Sequence, residues 1–225
     1  MHVIFMGPQG VGKGTQATRV AGELGLVHLS TGDLFRAAIK SGSELGTQLK
    51  SILDAGELVP DALTLRIVES RLDEIEAAAH GGIAPGALFD GFPRTPAQAE
   101  GLDEMLAKRG ESIRVVVEIT APRDVLIERL SGRRVCPKCG ATYHVTFSPP
   151  ADGVHCDVCG TPVQQRADDT ADAIMRRLSI YDEQTAPLLN FYKEQGKLVT
   201  VDGDRDVASV SADIVQVISD AGVSA

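Results

Sequence analysis

The chain has no tryptophan, and aromatic residues make up only 4% of its 225 positions, a scarcity that by itself selects no functional class. It has no excess of positive charge. A formal net charge of −9 and a pI near 5.0 argue against a protein that coats nucleic acid or an anionic membrane, while leaving room for basic clusters within a site. No apolar run approaches membrane-spanning length, and no charged leader with an apolar segment precedes the first apolar run, so a cytoplasmic location is expected. Long internal repeats and low-complexity tracts are missing. What remains is ordinary for a globular protein, with 43% hydrophobic and 24% charged residues. The length suits one well-buried domain with a small insertion.

Against that background one segment stands out: Gly7-Pro8-Gln9-Gly10-Val11-Gly12-Lys13-Gly14-Thr15, directly after the apolar Val3-Ile4-Phe5-Met6. A short buried strand breaks into glycines and opens a helix running towards Leu24. Gly7, Gly10, Gly12 and Gly14 are read as giving the backbone conformations closed to other residues, so that successive amide N–H groups converge on an anion. The helix aims its positive end at the same point, Lys13 adds an ammonium, and Thr15 offers a hydroxyl to Mg²⁺. The spacing fits G-x-x-x-x-G-K, with Gly14 in the usual Ser/Thr place. The bland alternative is a glycine-rich strand-to-helix turn with a chance lysine.

Short apolar runs then alternate with helical patterns, at residues 3–6, 27–29, 87–89, 115–119 and 198–201. This predicts an α/β fold, an open five-stranded parallel sheet flanked by helices. Helix starts are legible at Thr31 or Asp33, Ser43-Glu44, Pro60-Asp61, Pro122 and Asp168-Asp169-Thr170. Residues 81–86 read as a turn-rich joint and residues 222–225 as a frayed end. No unpaired amphipathic helix stands out, which favours a monomer.

Residues 132–165 interrupt the alternation and contain all four cysteines, as Cys136-Pro-Lys-Cys139 and Cys156-Asp-Val-Cys159. Each pair can wrap its sulfurs around one side of a tetrahedral ion, with Gly140 and Gly160 permitting the tight knuckles. Four thiolates favour a closed structural Zn²⁺ site, with iron as competitor. Two disulfides or four free thiols are the other readings, opposed by cytosolic reduction and by the paired spacing.

The third strand runs into Asp90, a carboxylate placed to organise the Mg²⁺ hydration shell beside the P-loop strand. Arginines recur at Arg36, Arg94, Arg129, Arg133, Arg166 and Arg177, near loops and helix ends. Arg166 and Arg177 are eleven apart, about three turns if the segment is helical, and so can face one side. Guanidinium forks match phosphate oxygens in pairs, although for any single arginine a solvated surface role is the simpler reading.

Taken together, these residues resemble the adenylate kinase family. The similarity rests on G-x-x-G-x-G-K-G-T at Gly7 to Thr15, Ser30-Thr31-Gly32-Asp33 with Arg36, and Asp90-Gly91-Phe92-Pro93-Arg94-Thr95 with Gln98. Gly132-Arg133-Arg134 and Arg166-Ala167-Asp168-Asp169 with Arg177 complete it, in the family's order from residue 7 to about 205. The cysteine pairs look like the zinc-bearing lid of the long bacterial form. Gln9, where many members have proline, and the longer approach at 81–86 depart from the pattern.

The resemblance implies reversible phosphoryl transfer from MgATP to AMP, giving two ADP. It implies a P-loop core over residues 1–29, 60–131 and 170–225, an AMP-binding subdomain over 30–59 and a zinc lid over 132–169. ATP is expected at Gly10, Val11, Gly12, Lys13, Gly14 and Thr15, with Arg129, Arg133, Thr142 and Tyr143, and with Arg205 at the adenine. AMP is expected at Thr31, Arg36, Glu57, Leu58, Val59, Gly91, Phe92, Pro93, Arg94, Gln98, Arg166 and Arg177. Lys13, Arg94, Arg133, Arg166 and Arg177 serve catalysis, and Asp33, Asp90, Asp168 and Asp169 support closure or Mg²⁺. Expected partners are ATP, AMP and ADP, with neither nucleic acid nor membrane. A UMP/CMP kinase is the nearest alternative and an ATP-dependent binding module a remote one.

Overall fold

The computed structural model describes residues 1–222 except 81, 83 and 84; the expected joint at 81–86 and the expected frayed end therefore lie partly outside the described residues. The central sheet contains β1 (His2–Met6), β2 (Val27–Ser30), β3 (Ala87–Asp90), β4 (Ile113–Thr120) and β7 (Leu198–Asp202), in the order β2-β3-β1-β4-β7, with every neighbouring pair parallel. Each predicted strand is present and extends by a residue or more, because polar ends such as Ser30, Asp90 and Asp202 complete ladders whose apolar middles carry the sequence signal.

Strands of such a sheet are apolar throughout because both faces are covered. Val3 and Phe5 of β1 pack on one face, with α1 (Lys13–Glu23), α6 (Arg123–Ser131), α7 (Ala171–Ile180) and α9 (Val207–Asp220), through Val20, Leu130, Leu178 and Ile214. The alternate residues Ile4 and Met6 pack on the other face with α4 (Asp61–Ala78), α5 (Pro96–Lys108) and α8 (Pro187–Glu194), through Val68, Leu102 and Tyr192. A separate small core of Phe35, Leu49 and Val59 joins α2 (Thr31–Lys40) to α3 (Glu44–Asp54).

Several helix starts are set by side-chain caps. Ser30 accepts the amide of Asp33, one residue before the predicted start at Thr31; Ser43 and Thr170 cap α3 and α7 as the sequence suggests. The cap at Thr170 also corrects the helical path expected from Arg166 to Arg177. Arg166 is extended, Ala167–Asp169 forms a single 3₁₀ turn, and α7 begins only at Ala171. The inserted segment folds as an antiparallel pair, β5 (Arg133–Val135) and β6 (Thr142–His144), continued by bridges Val135–Gln164 and His155–Pro162. Among the described residues no helix is long and apolar enough to cross a membrane.

Candidate active site

At the carboxyl end of β1, next to the point where the chain order of the strands reverses, the loop from Gly7 turns into α1. Gly7 has φ 136° and a Cβ there would collide with the Ile119 carbonyl; Gly10 has φ 89° and a Cβ would meet the Leu126 carbonyl at 2.8 Å. Both positions therefore require glycine. Gly14 does not share this role. It lies within α1 without a positive φ, and a Cβ there would stand 3.4 Å from Asp90 Oδ2, an ordinary contact. Thr15 next to it is exposed.

The Lys13 ammonium folds back on its own loop, donating to the carbonyls of Gly7 at 2.6 Å and Pro8 at 2.8 Å. Burial, with Arg94, Arg177 and Arg133 nearby and only partly countered by Asp90, lowers its pKa to about 7. Asp90 moves the opposite way from what burial alone would do. His28, 3.4 Å away, and the charges of Lys13 and Arg94 hold its carboxyl below the usual range. A polyphosphate reaching Lys13 favours the charged amine, so at pH 8 nucleotide binding should take up about one proton, and little at pH 6. Calorimetry in buffers of different ionisation enthalpy reads this directly; equal uptake at both pH values contradicts it.

Facing the loop is a cleft open to solvent, lined by the predicted Thr31, Arg36, Glu57, Leu58, Val59, Gly91, Arg94, Gln98 and Arg177. Phe92 and Pro93 do not line it; Phe92 is buried in the core, and their peptide bond is cis. Gln9, Phe35, Leu53, Gly56, Thr64 and Ile180 also line the cavity without having been assigned to it from the sequence; Asp168, expected to support closure, lines it too, whereas Arg166 does not. For Phe35 and Leu53 the available signal was the apolar face of α2 and α3. Gln98 is fully buried and nearly fully used. Its Oε1 accepts from the Arg94 amide at 2.8 Å and its Nε2 donates to Asp61 Oδ1 at 2.7 Å, leaving one N–H for a ligand.

The arginines meet at Asp169, whose side chain has no exposed surface. It accepts from Arg133 Nε at 2.8 Å and Nη2 at 2.5 Å, and from Arg177 Nη1 at 3.1 Å. Asp168 takes Arg177 Nη1 at 3.1 Å, and Arg177, Arg166, Arg133 and Arg36 together outweigh burial to keep its carboxyl ionised. Burial beside Arg177 lowers Arg94 to about 10, and burial beside Arg133 and Arg36 does the same to Arg166. Cations are thus concentrated beyond what the two aspartates neutralise. Such a surplus is a seat for a multiply charged anion.

Other expected residues stand apart from this cluster. Arg129 braces the turn after β7, donating to the Gly203 carbonyl at 3.0 Å, and Arg205 pairs with Asp213 at 2.5 Å. Asp33 pairs with Arg36 at 2.5 Å and is well exposed. Tyr143 is buried, with its hydroxyl donating to Cys156 Sγ at 3.3 Å and accepting from the Asp157 amide at 2.8 Å, so only Thr142 of that pair is exposed.

The four cysteines are free and their sulfurs all lie within 4.8 Å of one another. Cys136–Cys159 and Cys139–Cys156 separations of 3.4 Å are far beyond a disulfide and close to the roughly 3.8 Å edge of a Zn(Cys)₄ tetrahedron. Gly140 and Gly160, with φ of 80° and 70°, close the two knuckles by donating to the Cys136 and Cys156 carbonyls. The donor set is compatible with one structural zinc ion.

A glycine loop at a strand end, opposed across a cavity by converging arginines, defines a P-loop phosphotransferase of the nucleoside monophosphate kinase fold. Comparison with known proteins agrees: the adenylate kinase family model matches residues 5–197. Adenylate kinase of Moorella thermoacetica is 49% identical over 93% of this chain and 94% of its own length. The Symbiobacterium thermophilum adenylate kinase is 49% identical over 97% of this chain and 98% of its own, and that of Bacillus pumilus 49% over 95% and 96%. The chain belongs to the adenylate kinase family.

Proposed function

We propose that the protein transfers the terminal phosphoryl group of MgATP to AMP, reversibly, with donor and acceptor held on opposite sides of the arginine cluster. The observation that carries this reading is the position of Arg94 and Arg177. Both line the cavity, and both lie close enough to Lys13 to depress its pKa. The acceptor phosphate and the transferring group would thus sit in one field. The Mg²⁺ that accompanies ATP would neutralise charge developing on the bridging oxygens, with Thr15 and Asp90 beside it.

An acceptor phosphate is already anionic at neutral pH and needs no general base. The site agrees, since Asp90 and Asp168 have lowered pKa values and Asp169 is held by two arginines. An alcohol acceptor would need a carboxylate base beside it, and Asp33 pairs with Arg36 and does not line the cavity. Catalysis then reduces to alignment and charge stabilisation by Lys13, Arg94, Arg133, Arg166 and Arg177. Gly10 to Thr15, Arg129, Arg133, Thr142 and Arg205 are assigned to ATP, the last by its backbone, whereas the buried Tyr143 serves the lid's own packing. Thr31, Arg36, Glu57, Leu58, Val59, Gly91, Arg94, Gln98, Arg166 and Arg177 are assigned to AMP, with the spare Gln98 N–H facing the base. Parallel assays with AMP, CMP and UMP test the assignment, and preference for a pyrimidine monophosphate overturns it.

Residues 30–59 are assigned as the AMP-binding subdomain, 132–169 as a lid, and the remainder as the core. The four thiolates would hold Zn²⁺ in a closed site, and the small apolar cluster around Cys136, Tyr143 and Cys156 is too slight to fold without it. Removing the metal should unfold the lid, release about one zinc per chain and lower turnover by roughly a hundredfold, through lost water exclusion and misplacement of Arg133. Full turnover in protein verified to be metal-free contradicts this. On this reading the enzyme is a cytoplasmic monomer acting on free nucleotides, with no nucleic-acid or membrane partner.

A further inference from the structure

Gln9 occupies the P-loop between Pro8, whose carbonyl holds Lys13, and Gly10, where a Cβ would collide with the Leu126 carbonyl and the Leu130 side chain. Its side chain lines the acceptor cavity alongside Arg36, Arg94 and Arg177. Its Oε1 is shut off from solvent and has no hydrogen-bond partner. A buried amide oxygen without a donor is unfavourable, and such atoms in a site point to a group that arrives later. A second orphan matches it: Arg166 Nε, a donor, is also buried without a partner. A phosphate dianion only accepts hydrogen bonds, so it is a fitting partner for the Arg166 donor, which stands outside the cavity lining but close enough to Arg36 to feel its charge. It satisfies Gln9 once the amide turns about its last torsion to present Nε2–H.

We propose that Gln9 is a substrate-binding residue for the acceptor. Its amide donates to a non-bridging oxygen of the monophosphate, while Oε1 takes an N–H from a guanidinium of the same cavity. The choice of an amide follows from the charges around it. Lys13 and the arginines already crowd the site, so another cation adds repulsion, and a carboxylate would bind an arginine and repel the phosphate. An amide adds a directional donor without charge. Gln9 stands at the seam between the donor loop and the acceptor cavity, so it fixes the acceptor oxygen relative to the group that Lys13 holds. This inference rests on the acceptor being a nucleoside monophosphate, as proposed above.

The test uses Gln9→Met, which keeps length without hydrogen bonding, and Gln9→Glu, which keeps shape and adds charge. Steady-state constants for both nucleotides are measured with thermal unfolding. For Gln9→Met, the KM for AMP should rise roughly tenfold while that for MgATP stays within about twofold and the Tm is unchanged. Gln9→Glu should raise the KM for AMP further, at pH 8 and pH 6 alike, because the surrounding cations keep the introduced carboxyl ionised across that range. An unchanged KM for AMP in Gln9→Met overturns the proposal. So does a parallel rise in both KM values with a fall in Tm, which would make the amide a packing element of the loop. Should the wild type instead prefer CMP or UMP, the AMP assignment fails, and the same constants measured with that monophosphate still decide the role of Gln9.

Discussion

Replacing Lys13 with methionine is expected to lower kcat by about a thousandfold, with a smaller rise in the KM for MgATP. Methionine preserves most of the side-chain volume, and the loop owes its shape to Gly7 and Gly10, so unfolding should not account for the loss. The ammonium is held by two loop carbonyls, at 2.6 and 2.8 Å. Those bonds keep it beside the path of the phosphates until a polyphosphate draws it off. Its contribution is concentrated in the transition state, where charge spreads over the transferring oxygens. A variant with near-normal kcat would mean that the arginines alone carry that charge, and the role assigned to the lysine would fail.

Asp169→Asn is expected to be the most destabilising single change at the site. The carboxylate is wholly buried and neutralises Arg133 and Arg177 together, whereas an amide can accept a hydrogen bond but cannot balance charge. Leaving buried cations unpaired costs about 3 kcal/mol, at the low end of the range because both guanidiniums keep an exposed edge. For a domain of this size that is a fall of roughly 10 °C in Tm. Turnover should fall as well, by about a hundredfold, because the two guanidiniums lose their common anchor. Thermal unfolding by calorimetry, with kcat measured well below the new Tm, separates the two effects. Wild-type stability would show that the pairs at Asp169 contribute nothing net, as exposed ion pairs often do.

Much of the fold was legible because its signals are local. Apolar runs ending in Ser30, Asp90 and Asp202 mark strands buried on both faces, and Ser43, Pro60, Pro122 and Thr170 mark helix starts within a residue of their place. The cysteine knuckles were legible for the same reason, since spacing and the following glycines are features of a few consecutive residues. What escaped depends on residues far apart in sequence. Nothing local predicts that Gln98 joins Thr95 and Asp61 in one network, or that Asp169 is the buried meeting point of Arg133 and Arg177. The helical path from Arg166 to Arg177 was misjudged because Thr170 restarts the helix, and a cap of that kind competes with continuation. Gly14 was grouped with the left-handed glycines because the motif places them together; the structure shows the backbone need at Gly7 and Gly10, while Gly14 has helical backbone and room for a Cβ. Gln9 carried no signal of its own beyond its departure from proline.

The most direct test of the central claim is nucleotide analysis of the purified protein with MgATP and, in parallel, AMP, CMP, UMP or no acceptor. The account predicts two ADP formed for each ATP consumed with AMP, far slower turnover with the pyrimidine monophosphates, and negligible ATP loss without an acceptor. Rapid ATP hydrolysis without acceptor, or no transfer to any monophosphate, would contradict it.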